Sequence, residues 1–258
     1  MKKLKTPEKK FGWKPDLPDH RDHLYAAPAH ITTKLPSSVD LRKFCPPVYD
    51  QGNLGSCTAN SIGAAVQFEQ MKQKKKSFIP SRLFIYYNER VIEHSVNEDN
   101  GAQIRNGIKT VNKLGVCPET LWPYNDGKKQ FMVKPDSKSY AAALDNQVVS
   151  YQRLVQSLVQ MKGCLASGYP FVFGFTVYDN IYSDVVTKTG KLDLPGPKDA
   201  MEGGHAVMCV GYDDKEQRFL IRNSWGSDWA MKGYFTMPYA YVTDSNYSDD
   251  FWTIRMVE

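Results

Sequence analysis

The chain has 258 residues, 41% of them hydrophobic and 24% charged, which is ordinary for a globular protein and enough for one large domain or two lobes around a shared cleft. Of the formal charge of +5, four units lie in residues 1–35, where eight Lys and Arg face four acidic residues; the nearly neutral remainder offers no dedicated nucleic-acid surface. No stretch approaches the about 18 apolar residues of a membrane helix, and the basic start MKKLKTPEKK has no apolar segment behind it, so no signal peptide is readable and the compartment stays open between the cytoplasm and export by another route.

Residues 1–35 read as an arm: Lys and Pro dominate, and prolines and charges are expected to forbid regular helix or strand there. Phe11 and Trp13 are its candidate anchors on a folded surface. The stretch LPSSVDLRKFCPPVYDQ then enters the body extended, each Pro pushing its predecessor out of the helical region. A first helix opens with Ser56 as expected N-cap, carries Ile62, Ala65, Val66 and Phe68 near helical spacing, and ends in the cations KQKKK. Further helices are expected over Ser81–Glu93, Ile104–Leu114 (closed by Gly115) and Tyr151–Met161. After Tyr169 the texture turns to strands: PFVFGFTVY, HAVMCVGYDD, RFLIRNSW, GYFTMP and FWTIRMVE. Helices first and strands later indicate an α+β protein.

The five cysteines are odd in number and widely spaced, without C-x-x-C, which disfavours a zinc site and a dense disulfide scaffold and leaves at least one free thiol. Cys57 stands out. A Gly-x-x-Gly loop, Gly52 to Gly55, delivers it to the first turn of an apolar helix, where the positive end of the helix dipole favours a thiolate. A nucleophilic thiol needs a base. His20, His23 and His30 lie in the arm and His94 at a polar helix end, whereas His205 opens an apolar strand behind two glycines that let other backbone approach. Folding HAVMCVGY and RFLIRNSW about DDKE puts position 205 opposite roughly 222–224, which makes Asn223 a cross-strand neighbour whose amide oxygen can accept an imidazole N–H, with Trp225 placed to shield that bond.

QGNLGSC, GGHAVMCVGY, IRNSWGSDWAMKGYF and NGAQIRNGIKTVNKLGVCPETLWPY occur in the order, and over the residues 36–258, that resemble the papain-like cysteine peptidases. The resemblance implies a two-lobed fold, with a helical lobe mainly in 50–150 and a β-barrel-like lobe mainly in 151–258. It implies Cys57 as nucleophile, His205 as base and then acid, Asn223 as orienting residue and Gln51 as oxyanion-hole donor beside the Cys57 N–H. Gly101, Ala102, Gly204 and Trp225 would line the substrate cleft, with the Gly101 backbone pairing an extended peptide. Two departures stand out: Leu54 replaces a cysteine that forms a structural disulfide in the family, and Thr58 replaces an aromatic after the nucleophile. The expected protein is a monomeric cysteine endopeptidase acting on peptide or protein substrates, with no cofactor and no metal, and with the arm as a plug acting in cis. Rival readings are exopeptidase trimming, acyl transfer or deamidation on the same site, and a catalytically silent peptide-binding protein.

Overall fold

The computed structural model describes residues 9–127 and 129–258; the arm's first eight residues lie outside it. Along the chain come β1 (Trp13–Lys14), β2 (Leu24–Tyr25), α1 (Ala29–Thr32), β3 (Ser38–Asp40), α2 (Cys57–Lys72), α3 (Arg82–Ile92), β4 (Ala102–Gln103), α4 (Ile104–Lys113), α5 (Ser137–Ala143), β5 (Val148–Leu154), α6 (Leu158–Ala166), β6 (Phe171–Tyr178), α7 (Asp184–Thr189), β7 (Met201–Asp213), β8 (Arg218–Arg222), β9 (Tyr234–Pro238), α8 (Tyr239–Thr243) and β10 (Ser248–Val257). Among the described residues no helix is long and apolar enough to cross a membrane.

Helix α2 is buried without interruption from Cys57 to Gln70. A helix that hides every face is a central one: α2 packs on β7 and β10, and on α3 and α4. Helix α3 starts where expected because the Ser81 side chain accepts the Phe84 N–H, and α4 ends before Gly115, whose φ of +71° suits a residue without a Cβ. Among the described residues β1 and β4 form a two-stranded sheet of their own, and the other strands form one sheet in the order β2-β5-β10-β6-β7-β8-β9, with β3 added to β7. It remains open at β2 and β9 and does not close into a barrel. Phe171, Phe173 and Phe175 recur at every second position of β6 and pack with Phe251, Phe219 and Phe235, the period-2 signature of a strand.

Three expectations change. Residues 148–154 are strand β5, held between β10 and β2, so the helix expected over Tyr151–Met161 begins only at Leu158 as α6; the apolar spacing carries no sign of the strand partner contributed by the distant C-terminus. The arm does acquire regular structure, because β1 pairs in parallel with β4 and β2 with β5: a borrowed partner strand supplies the hydrogen bonds that the arm's own sequence cannot. Ser56 holds the N-cap position of α2 without capping it through its side chain, since its hydroxyl is shared with the Tyr124 hydroxyl at 2.6 Å.

Two glycines facing this core are opposite cases. A Cβ at Gly63 of α2 would meet only ordinary contacts, nearest 3.6 Å from Arg82, whereas one at Gly107 of α4 would overlap Ile62 and fall 2.7 Å from Glu89 Oε2. Gly63→Ala is therefore expected to stabilise the fold by about 0.5–1 kcal/mol. Gly107→Ala should destabilise it by about 1–3 kcal/mol. Urea unfolding midpoints of the two variants check both signs.

Candidate active site

The site is assembled where the start of α2 meets the start of β7. Three backbone devices set it. Gln51 N–H donates to Ser224 O at 2.8 Å, and Asp50 bridges to Trp225, tying the glycine loop to the chain just beyond β8. Gly55 N–H is held by Asp99 Oδ1 at 3.0 Å. Leu54, where a disulfide cysteine was absent from the sequence, is buried instead, and all five cysteines are free thiols.

His205 sits in β7 opposite Phe175 of β6. Its Nε2 lies 2.8 Å from Asn223 Oδ1. The partnership is the expected one, but the hairpin differs in detail: the turn occupies residues 214–217, Met208 faces Arg222, and an irregularity falls between Cys209 and Gly211. A side chain at Gly211 would collide with the carbonyl of Val39 in β3, so the third strand fixes where the ladder slips. Asn223 ends up diagonal to His205, beyond the paired part of β8, and the bond is made by side-chain reach. Trp225 lies 5.1 Å from the imidazole, centroid to centroid, and is itself packed against Trp229 at 4.9 Å. This is the shield expected over the His205–Asn223 bond. The other imidazole nitrogen, Nδ1, is buried with no hydrogen-bond partner among the described residues.

Cys57 is fully buried. Burial pushes its thiol up to about 12, against backbone hydrogen bonds from Ala206, Gly12 and Thr58 that favour the thiolate. Burial likewise pushes His205 down to about 4, in opposition to the Asn223 bond and helped by the charge of Lys9. Near neutral pH the two groups are therefore both uncharged. The Ala206 backbone, next to His205, reaches the Cys57 sulfur; no hydrogen bond joins His205 Nδ1 to it among the described residues.

The Gln51 side chain is oriented by a residue the sequence reading passed over: Ser224 Oγ donates to Gln51 Oε1 at 2.7 Å, which turns the amide nitrogen toward the Leu54 carbonyl at 2.9 Å and the Lys10 carbonyl at 3.1 Å. Lys10 belongs to the arm, which packs against these residues. Phe11 packs edge-on to His205 at 5.9 Å and against Trp225 at 6.2 Å. The Gly12 carbonyl accepts the Ala102 N–H at 2.8 Å, so the strand-like contact falls on Ala102 and not on Gly101. Gly101, at φ +80°, contributes closeness: a Cβ there would overlap Gly12. Gly204 does the same for Trp13, whose carbonyl a Cβ would strike, and the Trp13 indole also covers Gly174.

At the far end of the indole, Trp13 Nε1 donates to Asp250 Oδ2 at 3.0 Å, and the same oxygen accepts the Asp16 N–H at 2.7 Å. Asp16 in turn accepts from Arg105 N–H and Trp252 Nε1, at 3.1 Å each. Asp250 is fully buried and takes φ +60° where the β10–β6 register shifts, so a bulge swings its carboxyl toward the arm. Nothing in SDDFW announces this role. Lys9 and Lys10 pair with Asp50 and Asp99 at 3.1 and 2.6 Å, and Asp22 with Arg105 and Arg153 at 2.6 and 3.2 Å.

A family model of the papain family cysteine protease matches residues 35–249. An uncharacterised peptidase C1-like protein of Acanthamoeba polyphaga mimivirus is 43% identical over 98% of this chain and 88% of its own. A cathepsin B-like protein of Giardia intestinalis, CP2, is 30% identical over 79% of this chain and 69% of its own. Among solved structures, xylellain, a cysteine protease from Xylella fastidiosa, superposes with a TM-score of 0.92 at 46% identity, covering 97% of both chains. The fold also matches that of procathepsin B from Trypanosoma congolense, with a TM-score of 0.75 at 16% identity over 97% of this chain and 87% of that one. The chain belongs to the papain family of cysteine proteases.

Proposed function

We propose that this thiol protease is an endopeptidase working through Cys57, His205, Asn223 and Gln51, and that its arm holds it latent. The observation that carries the reading is the Lys10 carbonyl on the Gln51 amide: a peptide carbonyl rests on the donor that would face a scissile carbonyl. In an open cleft the proton passes from Cys57 to His205, and the thiolate attacks the peptide carbonyl. Gln51 Nε2 and the Cys57 N–H then receive the oxyanion; one such donor is worth about 2.7–4 kcal/mol of barrier. His205, oriented by Asn223, gives its proton to the leaving amine, and water activated by the same imidazole frees the acyl group. The arm runs as continuous chain from Lys9 past Gln51 and Gly101 to Asp16, so the cleft admits polypeptide on both sides of the sulfur, which favours internal cleavage over trimming of chain ends.

Latency follows from occupation. Phe11, Gly12 and Trp13 cover the imidazole, the sulfur and the edge of β4, and exclude both substrate and the water that a thiolate–imidazolium pair requires. Truncating an anchored Trp removes about 3 kcal/mol, on the order of a hundredfold in the docked-to-open ratio. A fluorogenic peptide assay under reducing conditions tests this on the full chain, on Trp13→Ala and on a chain beginning near Leu35. Activity should rise in that order and vanish with Cys57→Ala. Equal activity in all three forms would remove the latency; silence in all three would remove the peptidase.

The pH dependence of docking has a definite sign. Exchange between thiol–imidazole and thiolate–imidazolium moves no net proton, so that pair adds no slope near neutrality. Asp250 does: burial and the nearby Asp16 carboxyl raise it to about 7, with Asp249 adding to the rise and Arg153 opposing it. A group raised in the docked state stabilises docking below its usual value of about 4 and loses that contribution as pH rises through the docked value. The ratio of full-chain to trimmed activity should therefore increase between pH 5 and 8, by at most about tenfold per pH unit for one proton. A ratio that is flat or falls over that range contradicts the assignment.

A further inference from the structure

The residue after the nucleophile is where the sequence departs from the family, and the structure gives that departure a partner. Thr58 Oγ1 donates to Glu89 Oε1 of α3 at 2.6 Å. Both residues are fully buried. Glu89 Oε2 has no hydrogen-bond partner among the described residues and faces Gly107 of α4, whose missing Cβ leaves it room.

Among the described residues no cation forms an ion pair with this carboxyl group; Arg90 and Lys14 act on it only through their charge. The guanidinium of Arg90, its neighbour in sequence, is spent on the carbonyls of Tyr86, Val96, Glu98 and Phe131. Lys14 bonds Asn100 and lies 3.5 Å from Glu93, and Glu93 accepts from the Gln103 N–H and from Asn106. A bare carboxylate between α2, α3 and α4 would be an unpaired buried charge. Burial, with Glu93 adding to it and the Thr58 hydroxyl, Arg90 and Lys14 opposing, holds Glu89 well above the usual carboxylate range, which favours its protonated form. An ionised Glu89 would also oppose a thiolate at Cys57.

We propose that Glu89 is a positioning residue of the reaction: its buried carboxyl group holds the Thr58 hydroxyl and so fixes the first turn of α2, which carries the Cys57 sulfur and the Cys57 N–H. The site needs such a clamp because α2 begins without a side-chain N-cap, leaving its first turn to be held from the side. Glu89 acts through Thr58 and touches no reacting atom. The inference rests on the peptidase reading above, which the parent's own turnover and its loss in Cys57→Ala test separately.

The experiment uses the full chain throughout, in a Trp13→Ala background that loosens the arm, and compares Thr58→Val, Glu89→Leu and Glu89→Gln. Steady-state kinetics on a fluorogenic peptide and a thermal unfolding curve are recorded for each. Displacing the nucleophile by a fraction of its reach should lower kcat by about a hundredfold in Thr58→Val and Glu89→Leu, with KM little changed. Glu89→Gln, which keeps a carbonyl oxygen for the threonine hydroxyl, should recover most of that loss. Thr58→Val is close to isosteric and carries the test if Glu89→Leu does not fold. An unchanged kcat in Thr58→Val, or a Glu89→Gln as impaired as Glu89→Leu, would overturn the proposal, as would variants that lose only thermal stability.

Discussion

The hydrogen bond between His205 Nε2 and Asn223 Oδ1 is the contact on which the rest of the site depends. It fixes which imidazole nitrogen is committed and leaves the other without a hydrogen-bond partner among the described residues. It holds only because β7 and β8 are rigid neighbours and Trp225 closes over the pair, since water would compete for the same amide oxygen. On the proposed reading the sheet supplies the base, already oriented, and α2 supplies the thiol. These two rigid elements, packed directly on one another, meet with little loop between the chemistry and the scaffold.

The same dryness that orients the base would silence it while the arm is docked. A thiol and an imidazole become an ion pair only where solvent or charge supports both ions, and the docked arm removes the solvent. On this account the arm blocks the cleft and also returns the pair to its neutral form, with the thiol pushed up and the imidazole pushed down by one cause. Its grip is distributed: a carbonyl on Gln51, an added strand on Ala102, an indole over Gly174 and Gly204, and buried carboxyl groups at Asp16 and Asp250. Backbone contacts of this kind accept many sequences, whereas the indole and the Asp16 carboxyl group are particular to this arm.

Much of the site could be read from the sequence because its parts are local. Loop, helix start and hairpin are each encoded within about a dozen residues, and Cys57, His205, Asn223 and Gln51 fall where those local signals converge. What escaped is non-local. Strand β5 passes for helix until β10 and β2 flank it. The slip between Cys209 and Gly211 needs β3 to explain it. Asp250 depends on a bulge at positive φ, and Ser224 on the loop it braces. Glu89 reads as one more polar helix residue until α2 and α4 enclose it. Phe11 and Trp13 were legible as candidate anchors, aromatics in a polar tail, but the short strands around them were not, because their partners lie in the body.

The central claim, that one pair of groups is masked as neutral thiol and imidazole under the arm and becomes an ion pair without it, is tested most directly by the pH dependence of Cys57 alkylation. Iodoacetamide labelling would be followed on the full chain and on a chain beginning near Leu35, with Cys57→Ala to subtract the other thiols. The trimmed form should react with a midpoint far below the about 8.5 of a free thiol, while the full chain reacts slowly until strongly alkaline pH. The same midpoint and the same rate in both forms would contradict the account.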